Sequence, residues 1–176
     1  ATNPSVEIRR AEPVMLAELG GAWDVVFQQG RGAPASARLD ALQSLGNHGD
    51  PAIRYFSGTS VYTRTFSLPG NQKAGAALLL DLGQVGDVAE VRVNGKSVGT
   101  VWKAPYRLDI GAATVPGRNT LEIHVANLWV NRLIGDAQPG ATKLTFTTLP
   151  TYRPDAPLRP SGLMGPVRLL GPGANQ

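Results

Sequence analysis

Residues 88–102, VAEVRVNGKSVGTVW, decide the fold class. Val91 and Val93 alternate with charged neighbours, which is the two-residue period of a half-buried β-strand. Asn94-Gly95 follows, and a second strand pattern then runs from Ser97 to Trp102. Asn-Gly between two strands favours a type I′ turn, because both central residues of that turn need a positive φ. The stretch therefore predicts an antiparallel hairpin.

The same alternation recurs along most of the chain. It predicts further strands at residues 23–27, 62–68, 78–80, 121–125, 144–146 and 167–170. Pro-Gly pairs separate several of them, so we expect about nine or ten short antiparallel strands in an all-β sandwich. Three leucines spaced three apart predict at most one short helix, at Ala37–Leu45. The proline-rich segment Pro150–Pro160 is expected to be an extended connection.

Composition limits the classes of protein that this chain can belong to. Its 176 residues suit one domain, and the absence of cysteine excludes disulfides and thiol chemistry. The net charge is +4, but no groove-reading helix or basic stripe supports nucleic-acid binding. No apolar run approaches the roughly 20 residues that a membrane span needs, so we expect no membrane insertion.

Several strings resemble a known family of domains. They include Gly21–Val25, Ile53–Tyr62, Val88–Trp102, Pro116–Ile123, Asn127–Asp136 and Ser161–Leu169, which span roughly residues 19 to 170. In this order they are similar to the sugar-binding, galactose-binding-like β-sandwich domain of glycoside hydrolase family 2. They resemble still more closely the C-terminal domain of bacterial α-L-rhamnosidases of glycoside hydrolase family 106.

The resemblance implies a galactose-binding-like jelly roll. It implies one β-sandwich domain over residues 1–176, with its core at 19–170, excised from a larger hydrolase whose catalytic acids lie on a separate barrel. It also implies a secreted or periplasmic protein, and it makes a structural Ca²⁺ possible. By position in the family, the loop with Tyr152, Arg153 and Asp155 can reach the neighbouring active site.

The chain itself offers no evident catalytic constellation. Glycosidases need two carboxylates, about 5–5.5 Å apart for retention or roughly 6.5–9.5 Å apart for inversion. Asp50 and Asp87 lie at predicted turns, where a carboxylate commonly bonds its own backbone. The two histidines are far apart in the sequence, and His124 shares a strand face with Glu122. We therefore assign no catalytic residues and no zinc site.

Three stretches, at residues 54–57, 102–107 and 127–132, combine an aromatic plane with planar polar groups, the mixture that sugar recognition uses. The candidate ligand-binding residues in them are Trp102, Tyr106, Asn127, Trp129, Asn131 and Arg132. Each has a structural alternative. The side chain of Asn127 can cap a strand by hydrogen bonds to backbone groups. Arg132 can form a salt bridge with Asp136, and Trp102 can close one end of the sandwich. Trp23, by contrast, alternates with core residues and is predicted to be buried.

Three functions remain open from the sequence. The leading hypothesis is a non-catalytic carbohydrate-binding or accessory module of a glycoside hydrolase, whose partners are a rhamnose- or galactose-containing glycan and the parent catalytic domain. The second is a docking domain that packs on the catalytic barrel and binds no glycan; a large exposed apolar patch would favour it. The third is a stand-alone glycosidase.

Overall fold

The structure is a computed structural model that describes residues 12–173, and strands dominate it. The strands are β1 (Val14–Glu18), β2 (Trp23–Phe27), β3 (Ser36–Leu39), β4 (Thr59–Ser67), β5 (Leu79–Asp81), β6 (Gln84–Val85), β7 (Val88–Val93), β8 (Lys96–Val101), β9 (Arg107–Asp109), β10 (Arg118–Ala126), β11 (Leu163–Gly165) and β12 (Arg168–Gly171). Two short α-helices are α1 (Pro51–Arg54) and α2 (Val130–Asp136), and 3-10 turns occur at Leu45–Asn47 and Gly111–Ala113.

The strands form two main antiparallel sheets. One has six strands in the order β3-β2-β4-β10-β7-β8, and the other has four in the order β1-β12-β5-β9. A small third sheet pairs β11 with β6. Buried side chains from both main sheets join in one apolar cluster, so the sheets enclose a shared core. The predicted all-β, galactose-binding-like sandwich is confirmed. The domain bounds 1–176 stay a prediction, since residues 1–11 and 174–176 lie outside the described residues.

Large side chains at the inward positions of the six-stranded sheet fill the core. Trp23, Phe27 and Tyr62 are fully or almost fully buried, as is Phe56 just before β4. Phe27 and Phe56 meet edge to face, with ring centroids 4.9 Å apart. Arranged this way, an aromatic pair adds about 0.5–1.5 kcal/mol beyond the area it buries. The prediction that Trp23 is a core residue is confirmed.

The hairpin predicted at residues 88–102 is present as β7 and β8. Asn94 and Gly95 form its turn with φ values of 53° and 77°, as a type I′ turn requires. The Asn94 side chain also ties the turn to the neighbouring strand. Its Oδ1 accepts a hydrogen bond from the Thr120 backbone N–H at 3.0 Å, and its Nδ2 donates to the Asn119 Oδ1 at 2.8 Å.

Two local predictions are wrong. Of the residues predicted as a helix at Ala37–Leu45, 37–39 belong to β3, 40–44 form a loop, and Leu45 begins a 3-10 turn. Leu39 is buried because β3 pairs with β2, opposite Trp23, rather than because it lies on a helix face. The strand expected at residues 144–146 is also absent, since that segment pairs with no described strand. Among residues 12–173, no helix is long and apolar enough to cross a bilayer.

Candidate functional site

One end of the six-stranded sheet gathers several of the predicted site residues. The last residue of β10, Ala126, pairs with the first residues of β4 and β7. At the same end, Val101 closes β8 opposite Ala89. Asn127, Trp129 and Trp102 therefore leave the sheet at the same end, and α2 begins directly after Trp129.

Both asparagines of this stretch bond to the protein itself. Asn127 accepts a hydrogen bond from the Gly162 backbone N–H at 2.7 Å, which fastens the end of β10 to the segment before β11. Asn131 is only 2% exposed. It donates to the Arg159 carbonyl and to the Ser161 hydroxyl, and its Oδ1 accepts from the Arg159 N–H. The side chain of Asn131 thus holds the proline-rich connection in place, and its polar atoms have protein partners.

Arg132 and Asp136 form the salt bridge that the sequence allowed as the structural alternative. Arg132 Nε lies 2.9 Å from Asp136 Oδ1, and both side chains are buried. The Ser57 hydroxyl accepts the Arg132 backbone N–H at 3.2 Å and so anchors the helix to the start of β4. A Cβ added at Gly135 would lie 2.6 Å from the Tyr55 Cβ, so α2 packs closely against the residue after α1.

Asp136 also fixes the segment that follows α2, residues 141–152, which we call the strap. Asp136 Oδ2 accepts hydrogen bonds from the backbone N–H groups of Leu144 and Thr145, at 3.1 and 2.8 Å, and from the Thr145 hydroxyl. Burial raises the pKa of Asp136, but the Thr145 bonds and the Arg132 charge outweigh it and hold the pKa below its ordinary value. The strap is therefore held by an ionised carboxylate.

The strap and α2 form two grooves that share one wall. The first groove has a volume of about 280 Å³, and the second of about 440 Å³. The shared wall consists of Leu133, Thr145, Phe146 and Thr147. Phe146 is 91% exposed, so most of its surface is open to solvent.

Aromatic side chains flank this wall on both sides. Trp129 lines the larger groove and is 41% exposed. The Arg31 guanidinium lies over the Trp129 ring, 4.5 Å from its centroid, which is a cation–π contact. Tyr152 lines the smaller groove together with Lys143. Of the nine candidate residues, Trp129 and Tyr152 thus line the two grooves that share this wall.

The other candidates lie outside the grooves. Trp102 is 71% exposed but lines neither of them. Tyr106 is half-buried and packs against the core. Arg153 and Asp155 pair with each other on the surface, with Nη2 and Oδ2 2.7 Å apart. Their ligand-binding roles stay predictions.

Sequence reasoning missed three residues of the grooves: Arg31, Lys143 and Phe146. Arg31 lies between Gly30 and Gly32, which signals a loop but not its location in the fold. A side chain at Gly32 would collide with Leu144, so this loop reaches the strap through tertiary packing alone. A phenylalanine among threonines is typical of a strand, so the sequence predicts a strand at Phe146 rather than an exposed groove residue.

Most of the described acids are engaged in structural contacts. Asp50 accepts the Ala52 N–H and caps α1, as expected for a turn residue. Asp87 instead accepts the N–H of Leu128, which is distant in the sequence. Hydrogen bonding to Arg92 lowers the pKa of Glu90, the opposite direction from a general acid. His124 and Glu122 do share a face, with Nε2 and Oε2 3.8 Å apart. Within residues 12–173, no group of three or more histidines and acids could hold a metal ion.

Comparison with protein families matches residues 47–153 to the description "Glycosyl hydrolase 2 galactose-binding domain-like". This match covers more than half of the chain. The chain belongs to that family. The resemblance to glycoside hydrolase family 2 is therefore confirmed, and the matched region contains α2 and the strap.

The solved rhamnosidase of Novosphingobium sp. PP1Y contains a similar domain. It is 58% identical, with a TM-score of 0.89, over 97% of this chain and 16% of that enzyme. A candidate β-glucuronidase of Formosa agariphila is 37% identical over 90% of this chain and 16% of its own length. A Lactobacillus rhamnosus β-glucuronidase structure is 26% identical with a TM-score of 0.54, over 69% of this chain and 22% of that one. The galactose-binding-like domain thus spans about a sixth of the first two relatives and is an accessory module rather than their catalytic part.

Proposed function

We propose that this module binds carbohydrate in the two grooves beside Phe146 and serves a glycoside hydrolase that acts on rhamnosides. The observation that carries the binding site is the arrangement of three aromatic rings, Trp129, Phe146 and Tyr152, around one wall. The high identity to part of a rhamnosidase supports the parent activity. A secreted or periplasmic location stays a prediction from the resemblance.

Physical chemistry supports the grooves as a sugar site. An exposed aromatic face can cover the apolar C–H face of a pyranose, and hydroxyl groups can bond its equatorial oxygens. Thr147 and Thr151 supply such hydroxyls beside Phe146 and Tyr152. Affinity should be weak, on the order of millimolar to tens of micromolar, because a small polar ligand gains little per contact after desolvation.

The test is an NMR titration of the chain with rhamnose, galactose and short oligosaccharides that contain them. We expect shifts concentrated on Trp129, Phe146 and Tyr152. Phe146→Ala should weaken binding about tenfold, the loss of one good aromatic contact, and should leave the fold intact because the ring is exposed. Val26→Ala is the control, since Val26 is an exposed apolar residue of β2 that lines neither groove. Absence of shifts across the panel would contradict the proposal.

A second candidate function is docking on a catalytic domain. The observation in its favour is the exposure of apolar side chains on the strap, with Phe146 91% and Leu149 74% exposed. Exposed apolar clusters of this kind commonly mark interfaces. The two functions are separated by comparing the solvent accessibility of Phe146 and Leu149 in this chain with their accessibility in the longer parent protein. Loss of solvent accessibility of both residues in the parent, without glycan shifts in either form, would favour docking.

A further inference from the structure

We infer that the grooves select glycans that carry carboxylate groups, such as uronate-containing oligosaccharides. This inference rests on the proposed carbohydrate-binding function and names the chemical class of its ligand. Its basis is the set of charged residues that line the grooves, which includes Arg31, Lys143 and a single acid.

Six of the eleven described arginines form a salt bridge with an acid. The salt bridges are Arg38–Asp24, Arg92–Glu90, Arg107–Asp81, Arg132–Asp136, Arg153–Asp155 and Arg168–Glu18. Arg31 and Lys143 are among the described cations that have no carboxylate within salt-bridge distance in residues 12–173. Both side chains line the grooves, Arg31 the larger one and Lys143 the smaller one.

The one acid beside these cations does not neutralise them. Among the described residues that line the two grooves, only Asp136 carries a carboxylate. Its Oδ1 pairs with Arg132, and its Oδ2 accepts the bonds from Leu144 and Thr145. Arg132 and Asp136 cancel as a pair, and the charges of Arg31 and Lys143 are left without compensation. Two positive groups therefore face an aromatic wall that has no free anion.

The geometry suits a carboxylated sugar. Arg31 is half-buried and held over the Trp129 ring, which reduces the freedom that the guanidinium loses when it binds. A guanidinium can donate two parallel hydrogen bonds to one carboxylate, and such charge-assisted bonds are stronger than neutral ones. A sugar ring against Phe146 would place substituents towards Arg31 on one side and Lys143 on the other.

The experiment compares two ligands that differ only in charge. They are a galacturonic acid trisaccharide and its carboxyl-reduced counterpart, which is built of galactose. We expect the acidic ligand to bind about tenfold more tightly at low salt. The difference should shrink towards zero near 1 M NaCl, where the screening length falls to about 3 Å. Isothermal titration calorimetry or NMR titration measures both affinities.

Two variants locate the selectivity. Arg31→Gln and Lys143→Gln should each weaken binding of the acidic ligand about fivefold and leave the neutral ligand unchanged. Lys143→Gln is needed because Arg31 also contacts Trp129, so its replacement could disturb the ring. Arg118→Gln is the control. It removes one exposed positive charge at the start of β10, the end of the strand opposite to the grooves.

Each outcome decides between the hypotheses. Equal affinity for the two ligands would overturn the acidic preference and leave the carbohydrate-binding function standing. Binding of neither ligand would overturn the binding function and this inference with it. A preference for the acidic ligand that survives both groove variants, or that falls equally in Arg118→Gln, would show a general effect of net charge and overturn the assignment to the grooves.

Discussion

Asp136 shows how one residue organises the candidate site. Its carboxylate joins the buried guanidinium of Arg132 to the backbone of the strap, and thereby sets where Phe146 lies. The exposed pair Arg153–Asp155 has the same chemistry and a similar distance. The two pairs differ in burial, which sets the cost of breaking them. Removal of one partner from a buried pair leaves a desolvated charge, whereas water solvates the partner that remains from an exposed pair.

We predict that Asp136→Asn lowers the free energy of unfolding by about 3 kcal/mol, since it leaves Arg132 buried without a counter-charge. Asp155→Asn should leave it nearly unchanged, because that pair is solvent-exposed. Urea denaturation monitored by tryptophan fluorescence measures both. Equal effects of the two substitutions would show that the Asp136 contacts contribute no more than a surface pair.

The depressed pKa of Asp136 also predicts a pH dependence. A carboxylate whose pKa is lower in the folded state stabilises the fold above its ordinary value, 3.8, and that contribution is lost as the pH falls through the folded-state pKa. The stability gap between the unsubstituted chain and Asp136→Asn should therefore be full at pH 7 and narrow below about pH 3.8. Urea titrations between pH 7 and pH 2.5 test this, and a gap that stays constant throughout would contradict it.

At the scale of elements, the β7–β8 hairpin depends on its turn. Both turn residues have positive φ, and a Cβ added at Gly95 would meet no atom within 4 Å. The cost of a side chain there is therefore purely conformational. Gly49 provides a comparison, since it too has open space around it but no positive φ.

Gly95→Ala should destabilise the protein by about 1–2 kcal/mol, the cost of placing an L-residue in the left-handed region. Gly49→Ala should be neutral or stabilising by up to about 1 kcal/mol, because alanine restricts the unfolded chain. Thermal or urea unfolding of the two variants gives the comparison. A destabilisation by Gly49→Ala as large as that by Gly95→Ala would refute the conformational explanation.

At the scale of the whole molecule, most of the described acids form contacts that stabilise the fold. Caps, turns and ion pairs engage Asp50, Asp87 and Glu90, and the relatives contain this module as about a sixth of their length. A sandwich filled by one apolar core presents sites only on its loops. Chemistry on a glycosidic bond would need two suitably spaced carboxylates there.

We therefore expect the purified chain to release no aryl alcohol from an aryl α-L-rhamnoside above the buffer background. Asp155→Asn should make no difference, and an active rhamnosidase assayed in parallel confirms that the substrate is competent. Turnover by the chain that disappears in Asp155→Asn would instead establish it as a hydrolase in its own right.

The sequence alone determined the sandwich, because strand period and turn chemistry are local: Val91, Val93 and Asn94-Gly95 specify a hairpin wherever they lie. It also allowed the Arg132–Asp136 pair, but as a contact within a loop. The structure forms the pair across one turn of α2, a helix that the sequence did not predict. Local rules failed at Ala37–Leu45 and at residues 144–146, where pairing and side-chain contacts overrode a pattern too short to be decisive. The grooves were decided only by tertiary structure. Arg31, Trp129 and Phe146 come from separate loops, and packing against Asp136 and Gly32, rather than any spacing in the sequence, brings them together.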